Sequence, residues 1–173
     1  GRTVPNRMGA GFAATVTTNP FSKVTTTGPV SGAVNPLTSV TGGLTARVIW
    51  PADSLPAIMT ICSVTRYTTA NAYRILNGLN SPSQANNFLI GHLSGMRGVA
   101  FWRTKKTEWK TFGIKYNWLI MCGSTSKVIP GNMVIDQLDV GTSSSNAHLK
   151  TRLNINMANS ERSDWNVHSV YIW

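Results

Sequence analysis

Residues 147–157 show the clearest alternation of apolar and polar positions in the chain. Apolar or β-branched residues take turns with polar ones, in the order Ala147, His148, Leu149, Lys150, Thr151, Arg152, Leu153, Asn154, Ile155, Asn156 and Met157. A period of two is typical of a β-strand with one face in a hydrophobic core and the other in solvent. We therefore predict such a strand here. No stretch shows the helical period of about 3.6 with comparable clarity.

Other segments are rich in strand-forming residues and are mostly separated by clusters of Gly, Pro, Asn and Ser. Together with 147–157, eight strands are predicted; the other seven are residues 44–50, 57–65, 70–76, 97–104, 109–122, 132–140 and 165–172. Short segments at this spacing predict an all-β fold, either a sandwich or a barrel. Residues 77–87 have the composition of a loop.

Three of these segments carry more specific expectations. Residues 57–65 are almost all apolar or β-branched, which indicates a strand buried on both faces. Residues 70–76 fit either a strand or a helical turn, and residues 109–122 are long enough to contain two strands. These alternatives stay open at the level of the sequence.

Residues 1–43 differ in composition from the rest of the chain. They contain Arg2, Arg7 and Lys23 but no acidic residue, few apolar residues and frequent Gly and Pro. This composition predicts an extended basic N-terminal arm with short strands at 12–18 and 23–27, ahead of a β-domain at 44–173. The alternative is an ordinary N-terminal segment that lies on its own domain.

Positive charge is in excess, with 16 Lys and Arg against 6 Asp and Glu in 173 residues. Residues 97–115 alone hold six basic residues and one acid, interleaved with Phe101, Trp102, Trp109 and Phe112. Cations bind phosphates and aromatic faces stack on bases, so single-stranded nucleic acid is the expected partner. The spacing of Phe101, Trp109 and Trp118 nevertheless fits core positions better. The candidate phosphate-binding residues are Arg2, Arg7, Lys23, Arg103, Lys105, Lys106, Lys110, Lys150 and Arg152.

Residues with catalytic spacing are missing from the sequence. The three histidines do not stand at metal-ligand spacing, and no Gly-x-Ser-x-Gly motif occurs. Cys62 and Cys122 have no zinc-site spacing, and Cys122 ends an apolar run, which favours two buried free thiols over a disulfide. We expect no enzymatic activity and no cofactor. Since no run of about 18 apolar residues exists, we also expect no membrane partner.

Asp136 and Asp139 are a close pair of carboxylates within residues 44–173. Residues three apart on a strand point to opposite faces, so the two carboxylates would converge only at a bend. We favour two solvated turn carboxylates. A Ca²⁺ site completed by backbone carbonyls is the alternative.

The basic arm, the short strands and the Ser-, Thr- and Asn-rich composition together resemble the coat proteins of small icosahedral viruses and satellite viruses. Residues 97–100 (Arg-Gly-Val-Ala) and several later positions also resemble shell domains of plant tombus-like and sobemo-like viruses; the later positions are Trp109, Lys110, Phe112, Tyr116, Gly131, Asp136 and Asp139. In that family the acidic pair helps to bind calcium between subunits. This sequence departs from the family after Asp139, where the remaining segment is shorter, so we retain the class and not its calcium.

The resemblance implies an eight-stranded antiparallel jelly-roll sandwich with an extended N-terminal arm. It also implies a capsid protein whose partners are other copies of itself and nucleic acid. Its location would be the virion, and the host cytoplasm or nucleus during assembly. Two alternatives remain at this stage: a secreted β-sandwich binding module (a lectin, adhesin or pore-forming toxin), and a non-capsid β-barrel that binds single-stranded nucleic acid.

Overall fold

The computed structural model describes residues 3–4, 14–17, 21–26, 31–78, 87–126, 131–142, 150–156 and 160–173. Their strands are β1 (Thr3–Val4), β2 (Ala14–Thr17), β3 (Ser22–Thr26), β4 (Leu37–Gly42), β5 (Arg47–Ile49), β6 (Thr60–Tyr67), β7 (Leu76–Gly78), β8 (Phe88–Leu93), β9 (Met96–Trp102), β10 (Thr104–Lys105), β11 (Leu119–Ser124), β12 (Met133–Ile135), β13 (Leu138–Asp139), β14 (Leu153–Ile155) and β15 (Trp165–Ile172). These ranges include no helix long and apolar enough to cross a membrane. The prediction of an all-β fold is confirmed.

The strands form two antiparallel sheets that pack as a sandwich. Sheet 1 has the order β1-β2-β5-β14-β7-β8-β9-β10, and sheet 2 has the order β13-β12-β11-β6-β15-β4-β3. Strand β11 of sheet 2 lies across β8 and β9 of sheet 1. The main hydrophobic core fills the space between the sheets, and its largest fully buried side chains are those of Trp102, Trp165, Tyr67 and Phe88. Burial of these side chains is a dominant stabilising contribution.

Eight of the strands pair in a nested pattern. Strand β4 pairs with β15, β5 with β14, β6 with β11, and β7 with β8. Successive pairs lie alternately in sheet 2 and sheet 1, and within the sheets β15 also pairs with β6 and β14 with β7. These eight strands therefore have the connectivity of one long antiparallel hairpin. Its successive strand pairs alternate between the two sheets.

Strand β6 has one buried face, which corrects the prediction of burial on both faces. Ile61, Ser63, Thr65 and Tyr67 are buried between the sheets, whereas the alternate residues of the strand are only half-buried. The sequence was misleading because the residues on the outer face, such as Val64, are also apolar or β-branched. The outward side chains of β6 are consequently in partial contact with solvent.

Strand β8 lies between the predicted strands 70–76 and 97–104, in a part of the chain where the sequence predicts no strand. All six residues of β8 are buried, so the strand lacks the alternation that marks a half-exposed strand. Ser94 and Gly95, with φ of 48° and 81°, form the two-residue turn that joins β8 to β9. The ambiguous segment 70–76 ends at the start of β7 and is not helical.

The predicted solvent face of 147–157 is wrong at Asn154 and Asn156, which are fully buried; residues 147–149 and 157 lie outside the described residues. Asn156 adopts φ of 59° and its Nδ2 donates to the carbonyls of Gly43, Leu44 and Ala46 at 3.0–3.1 Å. Its Oδ1 accepts a hydrogen bond from the Ser163 amide. The side-chain amide thus satisfies buried backbone groups of the β4–β5 loop, which an apolar residue cannot do.

The N-terminal residues contribute strands to both sheets. The expected short strands at 12–18 and 23–27 correspond to β2 and β3, and β2 pairs with β5 while β3 pairs with β4. Residues 37–42, also within the expected arm, form β4 between β15 and β3. The division of the chain into an arm and a shell domain at residue 43 stays a prediction.

Cys62 and Cys122 form a disulfide, which corrects the expectation of two free thiols. They are 60 residues apart in sequence but directly opposite each other in the pairing of β6 with β11. This proximity is set by the register of two strands that are distant in sequence, so spacing alone gave no sign of it.

Candidate nucleic-acid interface

The described candidate cations lie at separate places on the sandwich. Lys23 is exposed on β3, the outermost strand of sheet 2, and Lys105 is exposed on β10, the outermost strand of sheet 1. Lys150 and Arg152 precede β14 in the middle of sheet 1, Lys150 exposed and Arg152 half-buried. Arg2 and Arg7 lie outside the described residues. The structure therefore does not gather these candidates into one patch.

Lys23 and Lys105 belong to opposite margins of the molecule. Thr107, which follows β10, forms a β-bridge with Gly141, which follows β13. This bridge brings the β10 edge of sheet 1 beside the β13 edge of sheet 2, and β3 is the other edge of sheet 2. A nucleic-acid strand that contacts both lysines of one subunit must cross a sheet.

Residues 103–118, here called the basic loop, hold the densest exposed charge. Strand β10 occupies Thr104–Lys105 within this loop. Residues 109–118, which the sequence predicts as part of a strand, are irregular, and β11 begins at Leu119. Exposed cations of the loop are Arg103, Lys105 and Lys110. Trp109, expected in the core, is 51% exposed. The loop thus exposes both cations and an aromatic ring, the side-chain types that bind phosphates and unpaired bases.

Two cations of the basic loop have partners within it. Lys110 Nζ lies 2.5 Å from Glu108 Oε2 and 5.1 Å from the centre of the Phe112 ring. The hydrogen bond from Lys110 lowers the pKa of the Glu108 carboxyl. Lys115 Nζ lies 5.2 Å from the centre of the Tyr116 ring. Because surface contacts of this kind are weak, a phosphate can displace them.

Arg97 fastens the basic loop to the sandwich. Its guanidinium, on β9, donates to the carbonyls of Phe112 and Trp118 and lies 3.5 Å from Asp136 Oδ2. Burial lowers the pKa of Arg97, and the nearby Asp136 carboxylate opposes that shift. Gly113, with φ of 74°, lets the loop approach the guanidinium closely. Sequence reasoning counted Arg97 as part of a basic window, whereas its side chain is 4% exposed and organises the loop.

Lys106 is fully buried, although it was predicted to contact phosphate. Its amide donates to Ala100 O and its carbonyl accepts from the Thr142 amide. Burial lowers the pKa of its ammonium. Lys105 and Lys106 therefore differ sharply in access to solvent although they are adjacent, because Lys105 lies on the edge strand β10 whereas Lys106 follows it and is held by Ala100 and Thr142.

Asp136 and Asp139 lie at the β12–β13 hairpin. Asp136 and Gln137, with φ of 46° and 74°, form its two-residue turn. Asp136 pairs with Arg97, and the Asp139 carboxylate accepts the Gly131 and Gly141 amides at 2.7 and 3.1 Å. The described residues contain no group of three His, Cys, Asp or Glu placed to hold a metal ion.

His92 is a buried titratable group that the sequence reasoning passed over. Its Nδ1 lies 3.3 Å from Thr65 Oγ1, and its ring packs edge-on against Tyr67 with centroids 4.4 Å apart. Desolvation, aided by the positive charge of Arg97, lowers the pKa of His92 to about 3. The imidazole is therefore neutral at physiological pH, inside the sandwich and next to the base of the basic loop.

Comparison with protein-family models, curated proteins and solved structures finds no match for this chain.

Proposed function

We propose that the chain is a coat-protein subunit that assembles into an icosahedral shell and packages single-stranded nucleic acid. The observation that carries the proposal is the nested pairing of β4–β15, β5–β14, β6–β11 and β7–β8. If these eight strands are numbered 1 to 8 along the chain, they lie in the order 1-8-3-6 in sheet 2 and 2-7-4-5 in sheet 1. This order supports an eight-stranded jelly roll, an architecture that viral capsids share with lectins.

The jelly-roll strands proposed here differ from the eight taken from the sequence. Strands β4 and β8 belong to the set, whereas β9, β10, β12 and β13, from segments 97–104 and 132–140, extend the two sheets beyond it. The outermost strands at the other end, β1 and β2 in sheet 1 and β3 in sheet 2, come from the N-terminal segment. A proposed arm that adds strands to sheet edges is suited to reach neighbouring copies, because edge strands offer unpaired backbone groups.

The net charge of +10 supports nucleic acid as the packaged partner. Each cation that neutralises a phosphate releases a counterion, so many subunits on one polyanion bind strongly at low salt. Scarce acidic residues leave little to repel phosphates. The basic loop, with Arg103, Lys105, Lys110 and the exposed Trp109, is the proposed main contact.

Assembly in solution tests this proposal. The purified chain is mixed with single-stranded RNA at low salt, and the products are separated by size exclusion with light scattering. We expect particles far larger than the 18.8 kDa subunit, which absorb strongly at 260 nm and lose subunits at high salt. A monomer under all these conditions would contradict the proposal.

The second candidate is a secreted β-sandwich binding module, which the Cys62–Cys122 disulfide favours. Disulfides persist in oxidising surroundings, including the extracellular space and the surface of virions. The two candidates differ in their assembly. A monomer that binds glycans or liposomes, and has no affinity for nucleic acid, would support the binding module.

A further inference from the structure

The outer face of sheet 2 carries a continuous apolar surface, here called the apolar face. It comprises Cys62, Val64, Ile120, Cys122, Tyr171 and Trp173. In the strand registers, Tyr171 is opposite Cys62, Cys62 is opposite Cys122, and Val64 is opposite Ile120. Trp173 extends β15 beside Thr60 through two backbone hydrogen bonds. Directly opposite side chains lie about 5 Å apart, so these residues form one surface.

The large side chains of the apolar face are accessible to solvent. Ile120, Tyr171 and Trp173 are 54%, 62% and 66% exposed, although residues of the same types on the inner face, such as Ile61 and Trp165, are completely buried. The disulfide and the pairing of β6 with both neighbouring strands hold the face in place. A rigid surface rich in Tyr and Trp loses little conformational entropy on binding and is typical of interface hot spots.

The distribution of charged residues around the apolar face indicates which partner it accepts. The other outward residues of β6, of β11 and of the end of β15 are uncharged. Along β6, the first charged residue is Arg66, whose guanidinium lies 5.7 Å from the centre of the Trp118 ring. The face also ends at Asp136, whose Oδ1 accepts a hydrogen bond from the Ile120 amide. The face is thus neutral in a chain of net charge +10. A polyanion finds almost no cation here, whereas two copies of the chain meet with least repulsion.

We propose that the apolar face is a docking surface for a second copy of this chain. The two faces meet sheet to sheet across a two-fold axis, so that the same residues of each copy are buried against those of the other. The proposal specifies a contact within the assembly of the proposed coat protein, and rests on that function only for the expectation that copies associate. The nucleic acid then contacts the basic loop and leaves this face free.

Paired glutamate substitutions test the docking surface. The test variant carries Ile120→Glu and Tyr171→Glu, and a matched control carries Leu44→Glu and Tyr73→Glu at exposed positions outside both the face and the basic loop. After nuclease treatment, sedimentation velocity is measured at about 1 M salt, where charge interactions are screened and apolar contacts persist. We expect wild type and control to associate equally, and the test variant to associate at least about tenfold more weakly.

A serine version of the test variant, Ile120→Ser with Tyr171→Ser, removes the apolar area without adding charge, and thermal melting checks that each variant is folded. Equal association of the test variant and wild type would overturn the docking proposal, and so would a wild type that stays monomeric.

The same experiment separates this proposal from the coat-protein function. If shells form equally well with the glutamate variant, the coat-protein function is supported and docking at the apolar face is refuted. Dimers that the glutamates disrupt, without any larger particle under any condition, would support the face and contradict the coat protein.

Discussion

At the scale of single residues, His92 links stability to pH. Its pKa is lowered to about 3 in the folded chain, against an ordinary value near 6.5, so between these values the unfolded chain binds a proton that the folded chain does not. The contribution of the neutral imidazole is fully present above pH 6.5 and is lost as the pH falls below it. From pH 7 to pH 5, His92 should lower the unfolding free energy by about 2 kcal/mol.

Denaturant titrations of His92→Gln and His168→Gln at the two pH values check this prediction. His168 is exposed, so its replacement is the matched control for loss of a histidine, and both variants are compared with the pH dependence of the wild type. His92→Gln should lose most of that dependence. An unchanged pH dependence in His92→Gln would show that other groups cause it.

The disulfide is a second feature of residue scale with a measurable effect. It closes a loop of 60 residues, and restricting a loop of that length in the unfolded chain is worth about 4 kcal/mol in the chain-entropy description. Replacing both Cys62 and Cys122 with Ser should therefore lower the midpoint of guanidinium unfolding. A reducing agent should lower the wild-type midpoint similarly and leave that of the double variant unchanged. If a reducing agent that has access to the unfolded chain leaves the wild-type midpoint unchanged, the pairing is contradicted.

At the scale of elements, Arg97 determines the order of the basic loop. Arg97→Met leaves the carbonyls of Phe112 and Trp118 without their donor, and loss of a buried charged donor costs about 3 kcal/mol. Trypsin should then cleave faster within the loop, where Arg103, Lys105, Lys110 and Lys115 provide sites. Asp136→Asn, which changes only the more exposed partner at 3.5 Å, should have a much smaller effect. Equal cleavage rates in wild type and Arg97→Met would refute this role.

Lys105 and Lys106 form a natural pair of variants for nucleic-acid binding. Lys105→Ala removes an exposed charge and Lys106→Gln a buried one, so the net charge changes equally. The slope of log binding constant against log salt for single-stranded RNA should fall by about 0.7 in the first variant. It should stay the same in the second, provided that melting shows it folded. Equal slopes in both variants would contradict the proposed contact.

Prediction from sequence succeeded for elements whose apolar pattern matched their environment. The expected strand at 165–172 coincides with β15, and its inner residues line the core. It failed for β8, which is buried on both faces and has no alternation, and for residues 109–118, whose aromatics suggested a strand. Trp118 is indeed buried, but Trp109 is not, because the path of this segment depends on its contacts with Arg97, which no local pattern contains.

At the scale of the whole molecule, composition restricted the class of partner but did not locate the residues that bind it. Excess positive charge and scarce acid pointed to an anionic partner, and that property does not depend on where each residue lies. The distribution of the candidate cations did depend on the fold: Lys23 and Lys105 lie at opposite margins and Lys106 is buried. The nested order of strands and the Cys62–Cys122 pair likewise arise from long-range registers, which a single sequence does not display.

Negative-stain electron microscopy of the chain, purified together with its bound nucleic acid, tests the coat-protein proposal most directly. We expect closed particles of uniform diameter, which nuclease and high salt together convert to small oligomers. Fields without particles, from protein that is folded and concentrated and has been supplied with single-stranded RNA, would contradict the proposal that this sandwich is the subunit of a shell.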